Sequence, residues 1–158
     1  MNVMKRLATL SIGLMFCFTT LIAQESIAYA DGQFYNQDKE LFSGTHTTYY
    51  DSKAKEATYS FKNGELNGQA IFFYEDGNQK ELGLYLDGKK HGQWIRWDKA
   101  GNKVGDVSYQ RGEKSGTWTI WDEKGQKRYE MYYQNGEKVG NWRMWDEEGN
   151  LISERDYQ

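Results

Sequence analysis

Residues 92–103 read GQWIRWDKAGNK, residues 116–127 read GTWTIWDEKGQK, and residues 140–151 read GNWRMWDEEGNL. Each stretch holds two tryptophans three residues apart, each begins 24 residues after the last, and together they contain all six Trp of the 158-residue chain. On a helix, side chains three apart share a face; on a strand they point to opposite faces. The reading of this pair therefore decides the fold.

The period of 24 extends outward from these stretches. Gly64, Gly88, Gly112 and Gly136 form one column, Gly68, Gly92, Gly116 and Gly140 a second, and Gly77, Gly101, Gly125 and Gly149 a third. Phe73, Trp97, Trp121 and Trp145 recur in the same phase, as do Tyr85, Tyr109, Tyr133 and Tyr157. One step further back, Gly44, Tyr49 and Phe61 keep the phase while the other glycines are lost. Self-similarity at such a period signals a repeat architecture. The chain divides into a degenerate capping repeat at 39–62 and four clear repeats at 63–86, 87–110, 111–134 and 135–158, after a short segment at 31–38.

Within a repeat the punctuation is that of hairpins. FKNGEL, YLDGKK and YQNGEK place Asn-Gly or Asp-Gly after an aromatic strand end, supplying the positive φ that tight hairpin turns need. DKAG, DEKG and DEEG place Asp first and Gly fourth, the chemistry of a type I turn. The three glycine columns are accordingly assigned to turns, leaving strands of about six or seven residues. Glycines recur too often for helix, and Pro, which removes a ladder donor, is absent. The expected fold is all-β: an elongated single-layer antiparallel sheet of roughly ten strands built from tandem 24-residue β-hairpins. Alternation then puts Trp94, Arg96 and Asp98 on one face and Ile95 and Trp97 on the other, one aromatic ladder per face unless a bulge shifts the parity.

These residues resemble the MORN repeat variant, a Gly- and aromatic-rich unit of NGxxxGxWxxWxxxG type found in tandem in the YwqK-family antitoxins of toxin–antitoxin systems. The motif stands as DGKKHGQWIRWDKAG, RGEKSGTWTIWDEKG and NGEKVGNWRMWDEEG, with NGELNGQAIFFYEDG a looser copy that has Ala70 in place of Trp. The resemblance covers residues 63–158 well and 39–62 weakly. It implies stacked hairpins in an elongated sheet, no cofactor, and use as a scaffold that contacts a protein or a membrane.

The N-terminus follows a different logic. Lys5 and Arg6 precede an apolar run from Leu7 to Ala23, and Ala28-Tyr29-Ala30 supplies a small-x-small site. This is the order of a secretory signal, so residues 1–30 are expected to direct export, to periplasm, envelope or medium, with cleavage after Ala30. A retained anchor is the alternative. Cys17, the sole cysteine, falls inside the apolar run, so no disulfide is expected after export. Without Lys5, Arg6 and Glu25 the chain keeps 18 basic and 22 acidic residues. That balance argues against nucleic acid and weakens attraction to an anionic membrane surface.

Catalysis finds little support in the sequence. His91 precedes Gly92 in what reads as a turn, in a column otherwise filled by Asn67, Ser115 and Val139, and His46 has no nucleophile nearby in sequence. Neither has a second ligand at metal spacing. The Asp98, Asp122 and Asp146 column is explained by turn capping, and Asp106, Glu130 and Glu154 read as a solvated face. No catalytic residue, metal or cofactor is expected. What remains is aromatic surface, since six Trp and a Tyr column exceed what a single layer buries. The candidate partner-binding residues are Trp94, Trp118 and Trp142 on one face, or Trp97, Trp121 and Trp145 on the other, with the charged turns at Lys89, Lys90, Lys114, Glu137 and Lys138 selecting the partner. The expected function is noncatalytic recognition of a protein, antitoxin- or immunity-like. The alternative is a glycan or cell-wall module that stacks sugars on the ladder.

Overall fold

The structure is a computed structural model and describes residues 26–158; most of the expected export signal, with Cys17, lies outside them. The described chain is all-β. A small hairpin, β1 (Ala28–Ala30) and β2 (Gln33–Tyr35), precedes the main sheet. The sheet then runs β3 (Gly44–Tyr49), β4 (Lys55–Lys62), β5 (Glu65–Phe73), β6 (Gln79–Leu86), β7 (Lys89–Trp97), β8 (Lys103–Gln110), β9 (Glu113–Lys114), β10 (Gly116–Trp121), β11 (Lys127–Gln134), β12 (Glu137–Trp145) and β13 (Leu151–Tyr157). Each strand pairs antiparallel with its sequence neighbour, and β8 pairs with both β9 and β10. β9 and β10 are one strand interrupted at Ser115, so the array is the expected meander of ten hairpin strands.

The turns follow their residues. At Asn63-Gly64, Asp87-Gly88, Arg111-Gly112 and Asn135-Gly136 both central residues have positive φ, as a type I′ turn requires. Asp31-Gly32, between β1 and β2, repeats this geometry. At the opposite edge, Asp98 takes Gly101 N–H on its carbonyl and Asn102 N–H on its carboxylate, and Asp122 and Asp146 do the same for their own turns.

The Gly68, Gly92, Gly116 and Gly140 column departs from the turn assignment. These residues lie within strands or at the head of one, with φ of 105°, 66°, 70° and 62°. Between the pairs Leu82–Ile95 and Leu84–His91, residues 92–94 stand opposite Gly83 alone. The same irregularity recurs between β4 and β5 and between β11 and β12. Glycine is needed because the strand must pucker outward through left-handed backbone without ending. Most strands therefore reach eight or nine residues, longer than expected. A second bulge follows each turn at the Asp-turn edge: Arg96 pairs with Gly105 and Trp97 with Lys103, skipping Val104, and Glu56, Lys80, Arg128 and Ile152 are skipped likewise.

The hairpins are also tied turn to turn. The amides of Gly64, Gly88, Gly112 and Gly136 donate to the carbonyls of Phe42, Leu66, Lys90 and Lys114, each 22 residues earlier. At the N-terminal end the small hairpin covers the sheet: Phe34 N–H donates to Gly64 O at 2.8 Å, and its ring lies 4.8 Å from that of Phe61. Phe42 and Phe61 are buried beneath it. The segment expected at 31–38 is thus half of a hairpin that begins at Ala28, inside the expected processing site.

Candidate partner-binding face

One face of the sheet carries a continuous spine of rings. From Phe34 it passes through Phe61, Tyr59, Phe72, Trp94, Tyr109, Trp118, Tyr133 and Trp142 to Tyr157, with neighbouring centroids 4.8–6.4 Å apart. Tyr85 joins it edge-on to Trp94 at 5.2 Å. The Tyr column therefore interleaves with the Trp94, Trp118 and Trp142 column on a single face. Tilted and edge-on packing of this kind adds about 0.5–1.5 kcal/mol per pair beyond the buried area. Burial raises the pKa of the Tyr59, Tyr85 and Tyr109 hydroxyls above the usual phenol value.

The inner Trp of each pair has a defined structural task. Trp94 Nε1 donates to Leu84 O at 3.1 Å, Trp118 Nε1 to Ser108 O at 2.8 Å and Trp142 Nε1 to Tyr132 O at 3.0 Å. The acceptor is always ten residues back, on the strand opposite the glycine pucker. There the indole N–H adds a bond to a strand carbonyl beside the bulge; Ser108 O, for example, also accepts the Ser115 amide at 3.0 Å. Trp94 is 1% exposed, whereas Trp118 and Trp142 are half-buried. The residue beneath each ring accounts for this. A Cβ on Gly83 would sit inside the Trp94 ring, so Trp94 sinks onto bare backbone. Val107 and Met131 stand at the equivalent positions in the next two repeats and line the same hollows as Trp118 and Trp142, filling space that Gly83 leaves to Trp94.

Lysine is the element that reading along the chain misplaced. Lys90, Lys114 and Lys138 lie in strands, not turns, and each covers the Trp four residues later together with the Tyr of the following strand. Nζ lies 3.7 Å from the Trp94 ring centre and 5.4 Å from that of Tyr109 for Lys90. The corresponding distances are 4.6 and 4.7 Å for Lys114 over Trp118 and Tyr133, and 4.4 and 5.2 Å for Lys138 over Trp142 and Tyr157. These are cation–π distances. The signal was present as a Lys column at period 24, four residues before each inner Trp. Arg155 and Lys138 together lower the pKa of Tyr157, with the Arg155 hydrogen bond the larger cause.

The opposite face is polar. Asp106 accepts from Gln93 and Lys103, Glu130 from Lys127 and Tyr132, and Glu154 from Arg143. Trp97, Trp121 and Trp145 lie on this side near the Asp-turn edge, all half-buried, with Lys103 over Trp121 at 4.7 Å and Lys127 over Trp145 at 5.5 Å. The six tryptophans thus divide into two sets that the structure does not bring together. The Asp106, Glu130 and Glu154 column is tied into ion pairs instead of lying freely solvated.

His91 also differs from expectation. It lies within β7, and its Nδ1 accepts the Arg111 amide at 3.4 Å, bracing the next turn. Ser43 Oγ does the same for Asn63 at 2.8 Å. Among the described residues no three His, Cys, Asp or Glu side chains gather as a metal site would require, and no helix is long and apolar enough to cross a membrane.

A single-layer array of antiparallel hairpins, repeating every 24 residues and presenting one aromatic face, defines a tandem β-hairpin repeat protein. The MORN repeat variant family model matches residues 114–135 and 138–158, so the last two repeats carry that sequence pattern, and the preceding repeats share their period and geometry. No curated protein matches the chain.

Proposed function

We propose that this chain is a noncatalytic, exported repeat scaffold that binds a partner protein through the aromatic face of its sheet, in the manner of an antitoxin or immunity module. The observation that carries the reading is an unbroken ring spine with no second layer over its C-terminal half. There Tyr129 is 41% exposed, and Tyr129, Met131, Trp142, Met144 and Tyr157 line a shallow hollow. Large aromatic and methionine side chains in a shallow depression are the usual anchors of a protein contact. Export directed by residues 1–30 is part of this proposal, and with it the partner lies outside the cytoplasm. Glycan stacking is the weaker reading, because ammonium groups already occupy the ring faces that a sugar would need.

The test is site-specific photocrosslinking in intact cells. A photoreactive side chain at Tyr129 or Met144 is expected to capture one discrete protein, and the same group at Thr117 on the polar face is expected to capture none. Equal capture from both faces, or none from either, overturns the reading. Fractionation with N-terminal sequencing tests export: recovery of an unprocessed chain in the cytosol would remove that part.

A further inference from the structure

The charge on the aromatic face opposes that of the molecule. The chain has a formal net charge of −3, yet from β6 to β13 this face carries Lys90, Arg96, Lys114, Lys138 and Arg155 against Glu81. Glu154 lies at the rim of the C-terminal hollow and is paired to Arg143. Glu81 lies 3.5 Å from Lys90. Among the described residues no carboxylate lies within ion-pairing distance of Lys114 or Lys138. Three lysines therefore stand in a row, one per repeat, each seated on a Trp–Tyr rung, and the two nearest the C-terminal end have no anionic partner.

Their spacing restricts the ligand. Equivalent residues in successive repeats lie two strands apart, roughly 9.5 Å at the usual interstrand distance. A polyproline II helix advances about 9.3 Å in each turn of three residues. An extended peptide in that conformation, laid across the strands, returns the same side chain to the sheet once per repeat. Faces lined with Trp and Tyr are the surfaces on which such helices dock. An isolated β-strand in that place matches less well, because alternation turns every third residue away.

We infer that the Lys90–Lys114–Lys138 row recognises an acidic segment of the partner in polyproline II conformation, with a carboxylate at every third position; this rests on the protein-binding reading above and specifies its chemistry. Each carboxylate meets an ammonium already held over its rings, and the residues between lie against Trp118, Trp142 and their tyrosines. Binding is salt-sensitive because the pairs form at the surface.

The purified chain, titrated by tryptophan fluorescence, provides the test. The probe is a synthetic peptide repeating Glu-Pro-Pro. The controls are a peptide of identical composition with its Glu residues contiguous, a Lys-Pro-Pro repeat, an anionic phospholipid vesicle and polygalacturonate. The repeating acidic peptide is expected to bind at least about tenfold more tightly than either control peptide. It should weaken about tenfold in Lys114→Gln/Lys138→Gln and recover in Lys114→Arg/Lys138→Arg, which keeps the charge. Circular dichroism and thermal melting confirm that each variant is folded. Equal binding of the two acidic peptides, tighter binding of vesicle or polysaccharide, or indifference to the Gln pair would overturn the inference. If the peptide fails while crosslinks from Tyr129 persist, the acidic segment falls and the protein-binding face stands. If the crosslinks also vanish, both fall.

Discussion

The rung Tyr59–Ala70 and the rung Gly83–Trp94 occupy equivalent places in successive hairpins and fill them in opposite ways. In the first, the large ring comes from the earlier strand and Ala70 is buried beside it at 1% exposure. In the second, the large ring comes from the later strand and lies on a glycine. Val107 with Trp118 and Met131 with Trp142 put a second sizeable side chain on the same rung as the indole. The first two rungs thus hold a similar volume between two strands in opposite ways, while the last two hold more. The N-terminal repeats, which look degenerate in a single-column reading, are compensated across the strand pair, and their outer end is closed by a hairpin and the Phe42 and Phe61 rings.

The comparison breaks most severely at Trp94. Trp94→Ala removes a fully buried ring and the donor to Leu84 O, with an expected loss of about 4 kcal/mol. Trp142→Ala, at a half-buried site, is expected to cost about half as much. Urea unfolding of the two variants measures the ratio, and equal losses would mean that the residue beneath the ring does not set its depth. Ala70→Trp places two large rings on one rung and is expected to destabilise by about 1–3 kcal/mol. Adding Tyr59→Gly converts that rung into a copy of Gly83–Trp94 and should recover much of the loss. A double variant no better than Ala70→Trp would show that the two rungs are not interchangeable.

Acid sharpens the contrast between the two edges of the sheet. The hydrogen bond from Asn102 holds the Asp98 carboxyl below its ordinary range, and that from Asn150 does the same for Asp146. At Asp122 burial opposes ionisation, but the Gln126 and Lys124 amides and Arg128 prevail and the pKa is lowered. A folded-state pKa below the unfolded value of about 3.9 gives stability that is full above that pH and lost as pH falls through the folded value. Melting temperature should therefore drop on going from pH 5 toward pH 2, and the triple Asp98→Asn/Asp122→Asn/Asp146→Asn variant should show a flatter profile. The smallest expected effect is that of Lys138→Met, about 0.5–1 kcal/mol for one cation–π contact, measured by chemical denaturation at low and high salt.

Period, strand direction, turn chemistry and the separation of Trp94 from Trp97 were legible in the sequence because each depends on local residues: Asn-Gly, Asp-x-x-Gly and simple alternation. Both bulges were not. Gly92 and Val104 look like ordinary turn and strand residues until the neighbouring strand sets the count, so pairing, not propensity, fixes them. The indole donation to a carbonyl ten residues back follows from one of those bulges and was hidden with it. The lysine row escaped for a different reason. Lys90 sits directly after Gly88-Lys89 and reads as turn charge, and only the strand's continuation through Gly92 brings it over a ring. The β1–β2 hairpin was masked because Ala28-Tyr29-Ala30 satisfies a processing pattern and a strand equally well.

The turn glycines that donate 22 residues back have one more consequence. Excise residues 87–110 and Gly112 meets Leu66 as Gly88 did, while Trp118 inherits Gly83 as its seat and Leu84 as its acceptor. The turn-to-turn and indole bonds cut by the deletion each have a replacement one unit away. Of the side-chain contacts, the Asn67–Asp87 bond is lost because Arg111 takes the place of Asp87. The backbone frame thus works as a splice-tolerant ruler. Its reach can be lengthened or shortened by whole repeats without redesigning any joint.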